Sequence, residues 1–182
     1  MMNLAFVYDL PFGNGKMLAS SGMLAKVMGG WSVSGRARYS SGTPLSISDS
    51  NGRPIRLRNA AKSGAIRERI GDRVDPVTKE VLNPYFDTTA FASLPTQYTI
   101  SPEVPFFGEL RNPPSKTLDA SIVRRIAIRE RLKFDIRADA SSLTNTPQWG
   151  SPGTSMSNKA TFGVIQSAGG NRRVQLSFRA VF

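Results

Sequence analysis

Val174-Gln175-Leu176-Ser177-Phe178-Arg179-Ala180-Val181-Phe182 closes the chain and decides how the rest is read. Val174, Leu176, Phe178, Ala180 and Phe182 fall on one face of an extended strand, and Gln175, Ser177 and Arg179 on the other, with Val181 the one apolar intruder. A period of two marks a strand with one oily and one wet side, because successive side chains of a pleated backbone point to opposite faces. Something must keep the oily side out of water. A second protein sheet would do so, and so would hydrocarbon.

The same alternation recurs upstream. From Asn3 to Leu10, Leu4, Phe6, Tyr8 and Leu10 oppose Asn3, Ala5, Val7 and Asp9, and the run ends at a turn signal, Pro11-Phe12-Gly13-Asn14-Gly15. After Gly29-Gly30, Trp31, Val33, Gly35, Ala37 and Tyr39 alternate with Ser32, Ser34, Arg36, Arg38 and Ser40. Leu118, Ala120, Ile122, Ile126 and Ile128 face one way and Asp119, Ser121, Val123 and Arg125 the other. Leu132, Phe134, Ile136, Ala138 and Ala140 follow, against Lys133, Asp135, Arg137, Asp139 and Ser141. Strands are therefore expected near residues 3–10, 31–40, 117–128, 132–143 and 173–182. Residues 16–28 read as a short amphipathic helix, and 41–115 and 145–172 as long connections without a sustained period.

Register can be read for one hairpin. Opposed residues share a face, so apolar sets at even positions on both strands demand an odd offset. A three-residue loop Arg129-Glu130-Arg131 meets it and sets Arg125 across from Asp135 and Ile126 across from Phe134. That loop lacks the Gly or Asn usual at its left-handed position.

Composition narrows the chemistry. The 182 residues contain neither cysteine nor histidine, which removes disulfides, thiolate chemistry and imidazole bases. A metal could be held only through oxygen, and no carboxylate cluster at loop spacing suggests one, so no cofactor and no enzymatic activity are expected. The formal charge of +11, from 24 Lys+Arg against 13 Asp+Glu, calls for solvated or anion-facing surface. No stretch approaches the roughly 20 apolar residues of a spanning helix, a lack that leaves barrel strands open because they alternate. Met1 to Phe6 runs straight into a strand without a basic region or apolar block. No signal peptide is expected there, and the chain reads as a fragment or as a reading frame cut from a larger gene.

Three features favour hydrocarbon over a second sheet. Connections alternate between short and long, as they do between periplasmic turns and outer loops of barrels. Trp31 and Tyr39 bracket one strand; at about 3.3 Å per residue they stand roughly 26 Å apart, or about 20 Å in height after a tilt of about 40°. That approaches the apolar band of about 25 Å and its aromatic girdles, to which Tyr8, Trp31 and Tyr39 are assigned. The opposite faces carry Arg36, Arg38, Arg125, Lys133, Asp135, Arg137, Asp139 and Arg179, expected to line a lumen, with the arginines paired to Asp135 or Asp139 across strands. Arg124 breaks the pattern on the lipid side and is expected to snorkel to the interface.

Other motifs weigh less. Gly13-Asn14-Gly15-Lys16 ends like a phosphate loop, but Leu10 and Met17 stand where Gly and Ser/Thr belong, so a turn is expected. Gly30-Trp31-Ser32-Val33-Ser34 misses the nucleophile elbow at its last residue. The basic run Arg53, Arg56, Arg58, Lys62, Arg67, Arg69 and Arg73 lacks interleaved aromatics, so it reads as a solvated outer loop that meets lipopolysaccharide phosphates, and nucleic acid is not expected.

Several motifs in order carry a resemblance. Leu118-Asp119-Ala120-Ser121-Ile122, Ile128-Arg129-Glu130-Arg131-Leu132-Lys133-Phe134, Ile136-Arg137-Ala138-Asp139, Leu143-Thr144-Asn145-Thr146-Pro147-Gln148-Trp149-Gly150 and Phe162-Gly163-Val164-Ile165 are similar to the C-terminal end of TonB-dependent outer-membrane receptors. The nearest branch is the Oar-like one, which bears a carboxypeptidase-regulatory-like domain. Tyr8-Asp9-Leu10-Pro11-Phe12-Gly13, Gly30-Trp31-Ser32-Val33-Ser34-Gly35, Ser41-Gly42-Thr43-Pro44-Leu45 and Phe86-Asp87-Thr88-Thr89-Ala90-Phe91 resemble the preceding part of the same family.

The resemblance implies an all-β, antiparallel transmembrane barrel segment with long extracellular loops: about the last five strands of a 22-stranded barrel, without its plug. It implies uptake of a bulky substrate across the outer membrane of a Gram-negative cell, by a fragment not competent alone. Implied partners are outer-membrane lipid and lipopolysaccharide, the rest of the receptor, the barrel-assembly machinery, which would read Leu176, Phe178, Ala180 and Phe182, and TonB through the missing plug. The alternative is a soluble basic β-domain that binds nucleic acid or another polyanion.

Overall fold

The computed structural model describes residues 1–13, 16–18, 22, 29–129 and 132–182. The strands are β1 (Met2–Asp9), β2 (Trp31–Ser40), β3 (Pro44–Leu45), β4 (Ile55–Arg56), β5 (Phe91–Ala92), β6 (Phe107–Arg111), β7 (Ser115–Arg129), β8 (Leu132–Ser141), β9 (Gln148–Trp149), β10 (Ala168–Gly169) and β11 (Arg173–Val181), of which β1, β2, β7, β8 and β11 form where the sequence alternates. The helix expected over 16–28 lies outside the described residues apart from 16–18 and 22.

The chain divides into two compact units. The first comprises Met1–Ser40, Lys116–Pro147 and Gly170–Phe182. It is one open antiparallel sheet in the order β1-β2-β7-β8-β11, with β1 and β11 at its edges. Pairing is in register along β1 and β2, from Met2 opposite Tyr39 to Asp9 opposite Ser32. β11 pairs with β8 from Arg173 opposite Ser141 to Val181 opposite Lys133.

The β7–β8 hairpin keeps the expected pairs, Arg125 opposite Asp135 and Ile126 opposite Phe134. Its end differs from a plain three-residue loop. Arg129 pairs with Leu132, and the register shifts between Ala127 and Arg129, so Ile128 is an extra residue on one strand. A bulge absorbs one residue without a partner, so a shorter connection plus a bulge yields the same odd offset as a three-residue loop. Glu130 and Arg131 lie outside the described residues.

Two glycines make the sheet possible. Gly30 has φ +79°, and a Cβ there would stand 2.3 Å from the carbonyl oxygen of Arg125, whose N–H donates to Gly30 O at 2.8 Å. Only glycine allows that approach at that φ. Gly35 faces Phe6 in the ladder, and a Cβ there would lie 2.6 Å from the Phe6 ring. The aromatic ring thus occupies the place of the missing side chain.

The second unit comprises Ser41–Ser115 and Gln148–Gly169. Its backbone is irregular, as expected, with two-stranded pairs β3–β6, β4–β5 and β9–β10 and short 3₁₀ turns at Ile66–Glu68 and Thr88–Ala90. Its packing is not that of a loose loop. Leu45, Ile47, Tyr85, Phe86, Phe91, Phe107 and Leu110 from the first segment bury with Phe162 and Ile165 from the second. Phe86 meets Phe162 edge-on at 5.3 Å between ring centroids and Phe91 at 6.1 Å, and Phe91 meets Phe107 at 5.5 Å. Backbone bonds stitch the segments together: Ser48 N–H to Thr154 O at 3.0 Å, Met156 N–H to Ser48 O at 2.8 Å, Tyr85 N–H to Gly163 O at 2.7 Å and Ile165 N–H to Ile70 O at 2.9 Å.

Candidate functional site

The registers place the sheet's side chains in rows. On one face Val174, Ala140 and Ala120 line up across β11, β8 and β7; then Leu176, Ala138 and Ile122; then Phe178, Ile136 and Arg124; then Ala180, Phe134 and Ile126. Met2, Leu4, Phe6 and Tyr8 of β1 oppose Tyr39, Ala37, Gly35 and Val33 of β2. Apart from Arg124 this is a continuous apolar surface, and the sheet does not bury it: Leu4, Phe6, Tyr8, Phe134, Leu176 and Phe178 are all exposed. An uncovered apolar surface of this extent marks contact with a membrane or another protein.

Arg124 is accommodated in place. Its guanidinium lies over the Trp31 ring, 5.4 Å from the centroid, and Lys116 lies over the Tyr39 ring at 5.9 Å. Each expected girdle aromatic of β2 therefore has a cation from β7 against its face, an arrangement favoured by the ring quadrupole. Eight residues separate the two members on each strand, and the apolar rows run on past the Arg124 pair to Ile126, Phe134 and Ala180. Tyr8, the third expected girdle residue, is exposed opposite Val33.

The other face carries the charges. Arg179, Asp135 and Arg125 form one row across β11, β8 and β7, and Gln175, Asp139 and Ser121 form another. Lys133 stands between Val181 and Ala127, and Arg38 opposite Asn3. The ion pairs differ from the expected cross-strand partners. Arg137 pairs with Asp139 of its own strand at 2.8 Å, since residues two apart project from the same face. Arg36 finds Asp119 at 3.4 Å.

Asp119 is a residue the sequence reading left without a role. Its second carboxylate oxygen accepts the Ser142 N–H at 3.1 Å, where the chain leaves β8 with Ser142 at φ +50°. A carboxylate in an otherwise apolar-alternating strand was the available signal. Leu176, Phe178 and Ala180 are exposed along the edge strand β11, and Phe182 follows it with 97% of its surface free.

In the second unit, part of the basic run is knitted into the structure. Arg58 binds Asp87 at 2.8 Å, and Arg56 pairs with Glu109. Asp87 caps the turn Thr88–Ala90 by accepting the Thr89 N–H at 3.0 Å. Partial burial works against its ionised form, but bonds from the Thr89 hydroxyl, Arg58 and the Thr89 amide outweigh it and hold the carboxyl below the usual carboxylate range.

Residues 1–175 match the family model described as the outer membrane beta barrel domain. The chain belongs to this family. Its place is the outer membrane, and the uncovered apolar surface of the sheet is the face of a barrel segment. This reading displaces the soluble basic domain, which would have to bury that face. The barrel is open over these five strands. No curated protein and no solved structure matches the chain.

Proposed function

We propose that this outer-membrane barrel segment is the C-terminal part of a TonB-dependent receptor of the Oar-like branch, which takes up a bulky substrate across the outer membrane. The observation that carries this is the open five-stranded sheet with β1 and β11 at its edges. Such a sheet closes only with further strands, and the receptor architecture supplies them, together with a plug that fills so wide a lumen. The motif order from Tyr8-Asp9-Leu10 to Phe162-Gly163-Val164-Ile165 supports the same reading.

In this reading the apolar rows face lipid, the girdle is Tyr8, Trp31 and Tyr39, and Arg36, Arg38, Arg125, Lys133, Asp135, Arg137, Asp139 and Arg179 face the lumen. Leu176, Phe178, Ala180 and Phe182 form the strand end presented to the barrel-assembly machinery. The unit that unites residues 41–115 and 148–169 is the outer surface, next to lipopolysaccharide. Site-specific photo-cross-linking of the full receptor to TonB in cells tests this. A TonB adduct that increases when substrate is supplied is expected; its absence from a correctly assembled receptor would reject the transport reading and leave the barrel.

A further inference from the structure

The second unit contains a cleft of about 170 Å³ whose walls include Lys62, Arg69, Tyr85, Glu109, Arg111 and Asn112. Its cations are unusual in how they are held. Arg69 Nη1 donates to the carbonyl oxygens of Lys62 and of Tyr85, the latter at 3.3 Å, and its guanidinium stacks over the Tyr85 ring at 4.9 Å. Arg111 Nε donates to Gly108 O at 3.2 Å and its Nη1 to Gly42 O at 3.1 Å. Tyr85 joins the two, since its hydroxyl donates to Arg111 O at 2.9 Å. Burial pushes this phenol up, against the opposing pull of Arg69, so it stays a neutral donor.

Neutral carbonyls fix the position of a guanidinium without cancelling its charge. Among the described residues, Lys62, Arg69 and Arg111 form no ion pair. The one carboxylate of these walls, Glu109, is taken by Arg56. Arg69 Nε is buried and donates to no protein atom, although a guanidinium has five N–H donors to satisfy. Asn112 Oδ1 is likewise buried without a donor, while its Nδ2 binds Thr43 Oγ1 at 2.8 Å. Three cations that line one cleft repel one another, and an oxyanion bound among them offsets that cost.

From this geometry we propose that the cleft is a binding site for the phosphate group of a phosphorylated saccharide. Three uncompensated cations suit a phosphate monoester dianion better than a single carboxylate. Asn112 Oδ1 supplies an acceptor for a hydroxyl of the sugar. The cleft is smaller than the roughly 300–1,000 Å³ of a pocket for a whole drug-sized ligand, so it holds the anionic group and leaves the remainder outside. The sugar is either the headgroup of a lipopolysaccharide or a free sugar phosphate; both present the same chemistry.

Titration of the full chain in detergent micelles with glucosamine 1-phosphate tests the site. Saturable binding is expected, with none for glucosamine. Arg69→Gln with Arg111→Gln should weaken it at least tenfold. Tyr85→Phe keeps the ring beneath Arg69, loses the bond to the Arg111 carbonyl, and should weaken it a few-fold with folding intact. Arg53→Gln with Arg67→Gln should leave it unchanged.

Vesicles containing lipopolysaccharide, intact or dephosphorylated, separate the sources. Retention that requires both phosphate and the two arginines assigns the lipid headgroup, and binding of the soluble phosphate alone assigns a solute. Failure of the unaltered chain to bind either probe would overturn the proposal, as would equal weakening by the Arg53/Arg67 pair. The result is independent of TonB, so a chain that binds the phosphosugar without the TonB adduct keeps the site and loses the transport reading.

Discussion

The two units of this chain solve opposite problems with similar residues. Every buried apolar side chain among the described residues, from Leu45 to Ile165, belongs to the unit formed by 41–115 and 148–169, whereas the sheet leaves Leu4, Phe6, Phe134, Leu176 and Phe178 uncovered. Phenylalanine serves both, but in one unit it interlocks with other rings and in the other it stands on an open face. The irregular segments carry the aqueous core, and the regular strands carry none. The difference is one of solvent: water surrounds the unit of 41–115 and 148–169, so it must hide its rings, and hydrocarbon accepts the rings of the sheet.

The largest effect should come from breaking the aqueous core. Phe86 is fully buried between Phe91 and Phe162. Phe86→Ala should cost about 3–5 kcal/mol, read as a lower urea midpoint from the emission of Trp149, which packs against this core. The same truncation of Phe178 should leave that transition in place.

A charge on the apolar rows comes next. Leu176→Arg, in the row between the levels of Arg124 and Lys116, should cost up to about 2–4 kcal/mol, the range for a bilayer midplane, and reduce the heat-modifiable folded band, whereas Ser177→Arg on the other face should assemble normally. Equal defects in the two variants would mean that the faces are not in different media.

The cation–aromatic pair sharpens the comparison at its boundary. A double-mutant cycle of Arg124→Leu and Trp31→Leu should give a coupling of about 0.5–2 kcal/mol, the value rising as the pair is desolvated. No coupling would show that Arg124 reaches past the ring to water.

The smallest effect is one of pH. Asp87 has its carboxyl held below the ordinary value of 3.8, so its contribution is fully present above that value and is lost as pH falls through the lower folded-state value. Stability of the second unit should therefore be flat from neutrality to about pH 4 and decline below it by this route. Asp87→Asn should flatten the acid limb, measured by exchange of the Thr89 amide.

The sheet was legible because its residues obey a period. Leu118 to Ala140 and Val174 to Phe182 show their faces in the letters alone, and the parity argument for the β7–β8 hairpin gave the observed pairs even though a bulge at Ile128 replaced one loop residue. The aromatic core was not legible. Phe86, Phe91, Phe107 and Phe162 belong to turns and strands of two to five residues, too short to show a repeat, and the last of them lies beyond the β7–β8 hairpin. The string Phe86-Asp87-Thr88-Thr89-Ala90-Phe91 stood out only through resemblance; the structure supplies its physical content, a capped turn between two core rings. Pairing on the charged face was half legible, because alternation reveals which side a residue takes but not which neighbour it reaches. Arg137 chose Asp139 of its own strand for that reason.

One core built from two distant stretches also sets an order of events. Phe86 and Phe91 are separated from Phe162 and Ile165 by a whole hairpin. Until that hairpin pairs and shortens the loop between them, the rings of each stretch have no lid. Completion of the hairpin is thus a clock for the maturation of the unit it interrupts.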